Sequence, residues 1–155
     1  MNRHITPYGY RALAFGPEIV ADLLSRLPED VLTQPTGEDR FTPTEAIAHL
    51  ADWEPIFQQR LSAGVNSDGA EIEVYDESVR AIEQGYANTE LQESIAKFQE
   101  ERAKTLEYVK SLTEEQLAHT ISHPELGPIT VAAYTWTMVG HDTYHIEQLV
   151  KVLPN

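Results

Sequence analysis

The amino-acid sequence predicts an all-α fold, a four-helix bundle with up-down-down-up topology, on three observations. Four segments place apolar residues at spacings of three and four, as a helix buried along one face requires. Helix start and stop residues bracket those segments. A connection of about 24 residues between the second and third is far longer than an antiparallel hairpin needs, so those two helices are expected to run parallel.

The first helix is read over Pro17 to Leu27, from Ile19, Val20, Leu23, Leu24 and Leu27, with Pro28 as its stop. The second opens at Thr42-Pro43-Thr44-Glu45, a capping box with Pro in the first helical position. Ala46, His49, Leu50, Trp53, Ile56, Phe57 and Leu61 form its inner face, and Gly64 is its stop. Pro55 lies inside it, removing one helical hydrogen bond and bending the rod. Residues 65–88 form the long crossover, with a short helix around Glu77 to Gly85. The third helix follows Asn88 and Thr89 and carries the stripe Leu91, Ile95, Phe98, Arg102, Leu106, Val109 and Leu112. Pro124, Gly127 and Pro128 make 114–129 a loop or a brief extended piece. Thr130 caps the fourth helix, whose stripe is Tyr134, Met138, His141, His145, Gln148, Leu149 and Val152, ending before Pro154.

Length and composition narrow the function classes. A chain of 155 residues is a single domain spanning 1–155, large enough to bury roughly two thirds of its unfolded surface. With no Cys there is no disulfide framework and no thiolate, so metal ligands must be His, Asp or Glu, and any thiol chemistry must use an external thiol. The 25 acidic against 11 basic residues, net charge −14, repel a phosphate backbone and argue against nucleic acid as a partner. Neither a signal segment in Met1 to Phe15 nor a membrane span is legible, so the expectation is a soluble cytoplasmic protein.

The chemistry-bearing motif is His141-Asp-Thr-Tyr-His145, two imidazoles four residues apart on one helix face. Such a pair can converge on one divalent metal, and His49 on the second helix would complete a three-nitrogen site with a coordination position left open. Histidines hydrogen-bonded inside a bundle are the alternative. His119 and His123 share the same spacing, but Pro124 and the intervening Thr-Ile-Ser read as loop; His4 reads as an exposed N-terminal residue.

The stretches 45–54 (EAIAHLADWE) and 140–149 (GHDTYHIEQL) resemble the two signature segments of the DinB-like, YfiT-type superfamily. The resemblance extends to helix order and length over nearly the whole chain. It implies a four-helix bundle with a three-His metal site, zinc or nickel, at His49, His141 and His145, and a homodimer. It also implies either a metal-dependent thiol S-transferase acting with a low-molecular-weight thiol or a protein of unassigned activity. DNA binding is not implied.

Around this set, Asp52, Glu45 and Asp142 are candidates to orient the second ring nitrogens of the ligands. Arg102, a charge inside an apolar stripe, is a candidate to bind a substrate carboxylate, against a snorkelling or internally paired Arg. Gln148, one turn beyond His145, could contact substrate or water, or bond across the bundle. Trp53, Phe57, Tyr134, Trp136 and Tyr144 are candidate pocket walls. Tyr75 and Tyr86 in the crossover leave apolar surface for a two-fold partner to cover. The leading expectation is a metal-dependent transferase with an external thiol. A hydrolase working through metal-bound hydroxide and a non-enzymatic, metal-stapled dimeric binding module are the alternatives.

Overall fold

The computed structural model describes residues 4–154. Helix α1, Pro7–Ser25, begins well before the expected Pro17. Thr6 caps it, its hydroxyl accepting from Gly9 N at 3.2 Å, and Pro7 takes the first turn. Pro17 is therefore an interior residue, and its missing N–H leaves the Leu13 carbonyl without its helical donor. Helix α2, Pro43–Asn66, starts at the expected capping box: Thr42 Oγ1 accepts from Glu45 N (3.1 Å) and Glu45 Oε2 accepts from Thr42 N (2.8 Å). The crossover carries strand β1, Ala70–Glu71, helix α3, Glu77–Glu83, capped by Asp76, and a 3₁₀ turn at Tyr86–Asn88. Helix α4, Leu91–Ser111, follows.

The segment expected as a loop or a brief extended piece contains extended strands and, in addition, a short helix. It holds helix α5, Glu114–Ala118, with its own capping box from Thr113 and Gln116. Strands β2, Thr120–His123, and β3, Gly127–Thr130, then form an antiparallel hairpin, and β1 adds to β2 in parallel. Helix α6, Val131–Val150, is capped as expected, Thr130 Oγ1 accepting from Ala133 N at 3.1 Å.

α1 and α2 each pack between α4 and α6. On α2 and α4, Ala48 and Ala51 share a cleft with Ser94 and Lys97, while Gln58 and Ser62 share another with Lys104 and Tyr108, so both helices run the same way. On α6 the order is opposite, with His49 against His145 and Arg60 against Tyr134. α1 runs with α6, Gly9 meeting Trp136 and Gly16 meeting Asp142. Among the described residues no helix is long and apolar enough to cross a membrane.

Two apolar clusters fill the bundle. One holds Leu13, Trp53, Phe57, Tyr134 and Met138; the other holds Val20, Leu24, Leu50, Phe98 and Leu149. Along α1, α4 and α6, the residues falling between them are Gly16, Arg102 and Asp142. A buried ion cluster occupies this level: Arg102 Nε and Nη2 donate to Glu54 (2.7 and 3.0 Å), and Nη2 and Nη1 to Asp142 (2.9 and 2.6 Å). Nη1 also donates to Leu13 O at 3.0 Å, the carbonyl that Pro17 frees. All five guanidinium N–H groups thus have acceptors.

Candidate metal centre

His49 enters near the start of α2, and His141 and His145 from the latter half of α6; because those helices run in opposite directions, all three meet at one depth. Their candidate ligand atoms lie within 4.8 Å of one another. His49 Nε2 and His141 Nε2 are 2.9 Å apart. A tetrahedral ion with bonds of about 2.0–2.1 Å sets its nitrogens roughly 3.3 Å apart, so a small separation seats one. His49 and His145 are buried, and His141 alone of the three keeps partial exposure.

The donor chemistry fits a cation. Burial lowers the His141 imidazole to about 3, with His145 and Arg102 adding to the effect. Burial likewise lowers His145 to about 4, and His49 falls well below the usual range through burial, then His141 and His145. Three neutral rings therefore present lone pairs at neutral pH. Gln148 fixes one tautomer: its Oε1 lies 2.9 Å from His145 Nδ1, while its Nε2 donates to Thr36 Oγ1 (2.6 Å) and Phe41 O (2.8 Å). Because that amide nitrogen is committed to two acceptors, Oε1 must accept, so His145 carries its proton on Nδ1 and offers Nε2. Phe41 covers the site, its ring 5.2 Å from that of His49 and 6.4 Å from that of His145.

A cavity of about 290 Å³ opens beside His141. Trp53, Phe57 and Tyr134 wall it, Arg60 lines it, and the exposed Glu77 and Glu125 stand at its mouth. Partial burial, then Asp76 and Glu125, lift the Glu77 carboxyl above its ordinary value against the pull of Arg60.

The sequence profile of the DinB superfamily matches residues 12–149. The chain belongs to the DinB superfamily. Within it, a candidate metal-dependent hydrolase of Oceanobacillus iheyensis is 25% identical over 138 residues, 88% of this chain and 78% of the relative. The fold is similar to that of YfiT from Bacillus subtilis, a probable metal-dependent hydrolase with an unusual four-helix bundle topology. The TM-score is 0.88 at 19% identity, covering 98% of this chain and 90% of YfiT. It is also similar to a mycothiol-dependent maleylpyruvate isomerase, with TM-score 0.74 at 12% identity, covering 92% of this chain and 59% of the isomerase. The four-helix bundle protein TT2238 has TM-score 0.65 at 20% identity, over 92% and 96% of the two chains.

In this DinB-superfamily chain the three expected histidines come together, while their expected neighbours do not behave as expected. Arg102 cannot bind a substrate carboxylate as expected, because Glu54, Asp142 and Leu13 O take every donor. Gln148 is 1% exposed and committed to His145 and the 36–41 loop, so it positions a candidate ligand histidine instead of meeting substrate. None of the three candidate carboxylates orients a ligand ring. Asp52 binds Arg80 and the Tyr86 hydroxyl, Glu45 closes the capping box, and Asp142 faces Arg102. Nδ1 of His49 and of His141 is buried without a partner. Tyr86 is 2% exposed, its hydroxyl donating to Asp52 at 2.6 Å, and so offers no surface to a second copy. His119 lies in the link between α5 and β2, as a loop residue should, with its Nδ1 3.0 Å from Val65 O, whereas His123 ends strand β2. The sequence reading missed Arg60, Glu77 and His123 at the cavity. Arg60 was findable by the reasoning applied to Arg102, since it lies seven residues from Trp53 on the same apolar face.

Proposed function

We propose that this chain is a metal-dependent hydrolase that holds one divalent ion, zinc or nickel, through His49, His141 and His145. The convergence of three neutral imidazoles at the edge of a cavity carries the reading. A divalent ion bound there would polarise a coordinated water or thiol so that it loses its proton near neutral pH. The protein's own residues do the rest. His145, held by Gln148, and His49 are buried, while the less buried His141 borders the substrate space. Trp53 and Phe57 restrict water, and Glu77, with its raised carboxyl, is suited to accept and return a proton. The names of the Oceanobacillus iheyensis and Bacillus subtilis proteins support hydrolysis.

Thiol S-transfer is the second reading, favoured by the likeness to a mycothiol-dependent enzyme and by a chain that has no thiol of its own. A homodimer remains part of the proposal, with exposed Tyr8, Phe15 and Ile19 on α1 and Trp136 and Tyr144 on α6 as the apolar surface to be covered.

The test is a panel of activated esters and amides assayed on the metal-loaded protein, with and without a low-molecular-weight thiol. Hydrolysis predicts turnover that a chelator abolishes, that needs no thiol, and that Glu77→Gln slows by about tenfold to a hundredfold. Turnover that requires the thiol would replace hydrolysis by transfer. Absence of turnover under both conditions would leave a metal-stapled binding module.

A further inference from the structure

Among the described residues two arginines are buried, and they are treated very differently. Arg102, 2% exposed, is matched by two carboxylates. Arg60, 7% exposed, is matched by none: Nη1 donates to the Tyr134 hydroxyl (3.0 Å) and Nη2 to the Glu73 carbonyl (2.6 Å). Its guanidinium lies over the Trp53 ring, 5.2 Å from the centroid, and its Nε is buried with no acceptor. A buried cation hydrogen-bonded only to neutral groups is costly, and the contact with the Trp53 ring and the through-space pull of Glu77 at the cavity mouth offset only part of that cost. A ligand that brings the missing charge would recover it.

The location says where that ligand sits. Arg60 lines the same cavity as His141. Trp53, on the wall of that cavity, carries a second buried donor without an acceptor, its Nε1. We propose that Arg60, with Trp53 Nε1 beside it, anchors the carboxylate of a small substrate whose apolar body lies along Phe57 and Tyr134 toward His141. The inference rests on the reading of this cavity as the reaction chamber. A planar fork of donors matches a planar carboxylate, and the Tyr134 hydroxyl holds that fork in place. Glu77 and Glu125 at the mouth repel a multiply charged phosphate more strongly than a monoanion.

The experiment titrates benzoate and its neutral analogue benzamide into the metal-loaded full chain by ligand-observed NMR, with metal content measured on every sample. Wild type should prefer benzoate by about tenfold or more, the worth of one charge-assisted pair. Arg60→Met should lose that preference while keeping its metal and losing less melting temperature than Arg102→Met. If Arg60→Met does not fold, Arg60→Gln reads the same loss. The metal-free double variant H141A/H145A should retain a benzoate preference that still depends on Arg60. That preference in a wild type found to hold no metal would remove the metal reading and leave this one standing. Equal binding of both probes by wild type, no binding of either, or an undiminished preference in the Arg60 variants would overturn the proposal.

Discussion

Pro17 cannot donate to the Leu13 carbonyl, Gly16 carries no Cβ to meet the Asp142 carboxylate, and both absences serve the guanidinium of Arg102. A Cβ on Gly16 would collide with Asp142 Oδ2, so α1 can approach the ion cluster only with glycine there. The freed carbonyl becomes the fifth acceptor of Arg102. Arg102→Met should therefore strand Glu54 and Asp142 in the core and cost about 3–5 kcal/mol, measured by denaturant unfolding. Arg60→Met removes a charge that no carboxylate hydrogen-bonds, giving up two bonds to neutral groups and a ring contact, and should cost less. The difference between these two changes separates a structural arginine from a ligand-binding one. Sequence could locate both charges on apolar helix faces, but not which had carboxylates across the bundle, since Glu54 and Asp142 come from two other helices.

At the scale of elements, periodicity and capping chemistry were informative where they acted locally. The capping box at Thr42 and the cap at Thr130 fix the starts of α2 and α6, the two helices that carry the histidines. That is why the candidate three-histidine set was legible: its spacing on α6 is local, and the antiparallel run of α2 brings His49 to the same depth. α1 was truncated in the sequence reading because Pro17 suits a first turn as well as an interior position whose lost hydrogen bond another residue replaces. The hairpin of β2 and β3 was legible only as a brief extended piece, because the third strand of its sheet, β1, comes from the distant crossover, and short strands are fixed by such pairing more than by propensity. The orienting role of Gln148 was equally nonlocal, since it depends on Thr36 and Phe41.

For the whole molecule, three neutral imidazoles in the folded state tie stability to pH and to metal. In the metal-free fold His141 titrates near 3 and His145 near 4, whereas in the unfolded chain both titrate near 6.5. Between those values the unfolded chain binds more protons, so this contribution is fully present above about pH 6.5 and is lost as pH falls toward 4. Melting temperatures of the metal-free protein should therefore decline more steeply between about pH 7 and pH 5 in wild type than in H141A/H145A, which lacks two of these groups. A bound ion should offset the burden by stabilising the fold, about 2.7 kcal/mol at a hundredfold excess over Kd. The most direct test of the central claim is elemental analysis of the purified protein beside H141A/H145A, each paired with a thermal melt. We predict about one divalent ion per chain in wild type, little or none in the double variant, and a melting temperature that rises with metal only in wild type. Equal occupancy in both proteins, or no metal in wild type after equilibration with zinc and nickel, would contradict the three-histidine centre.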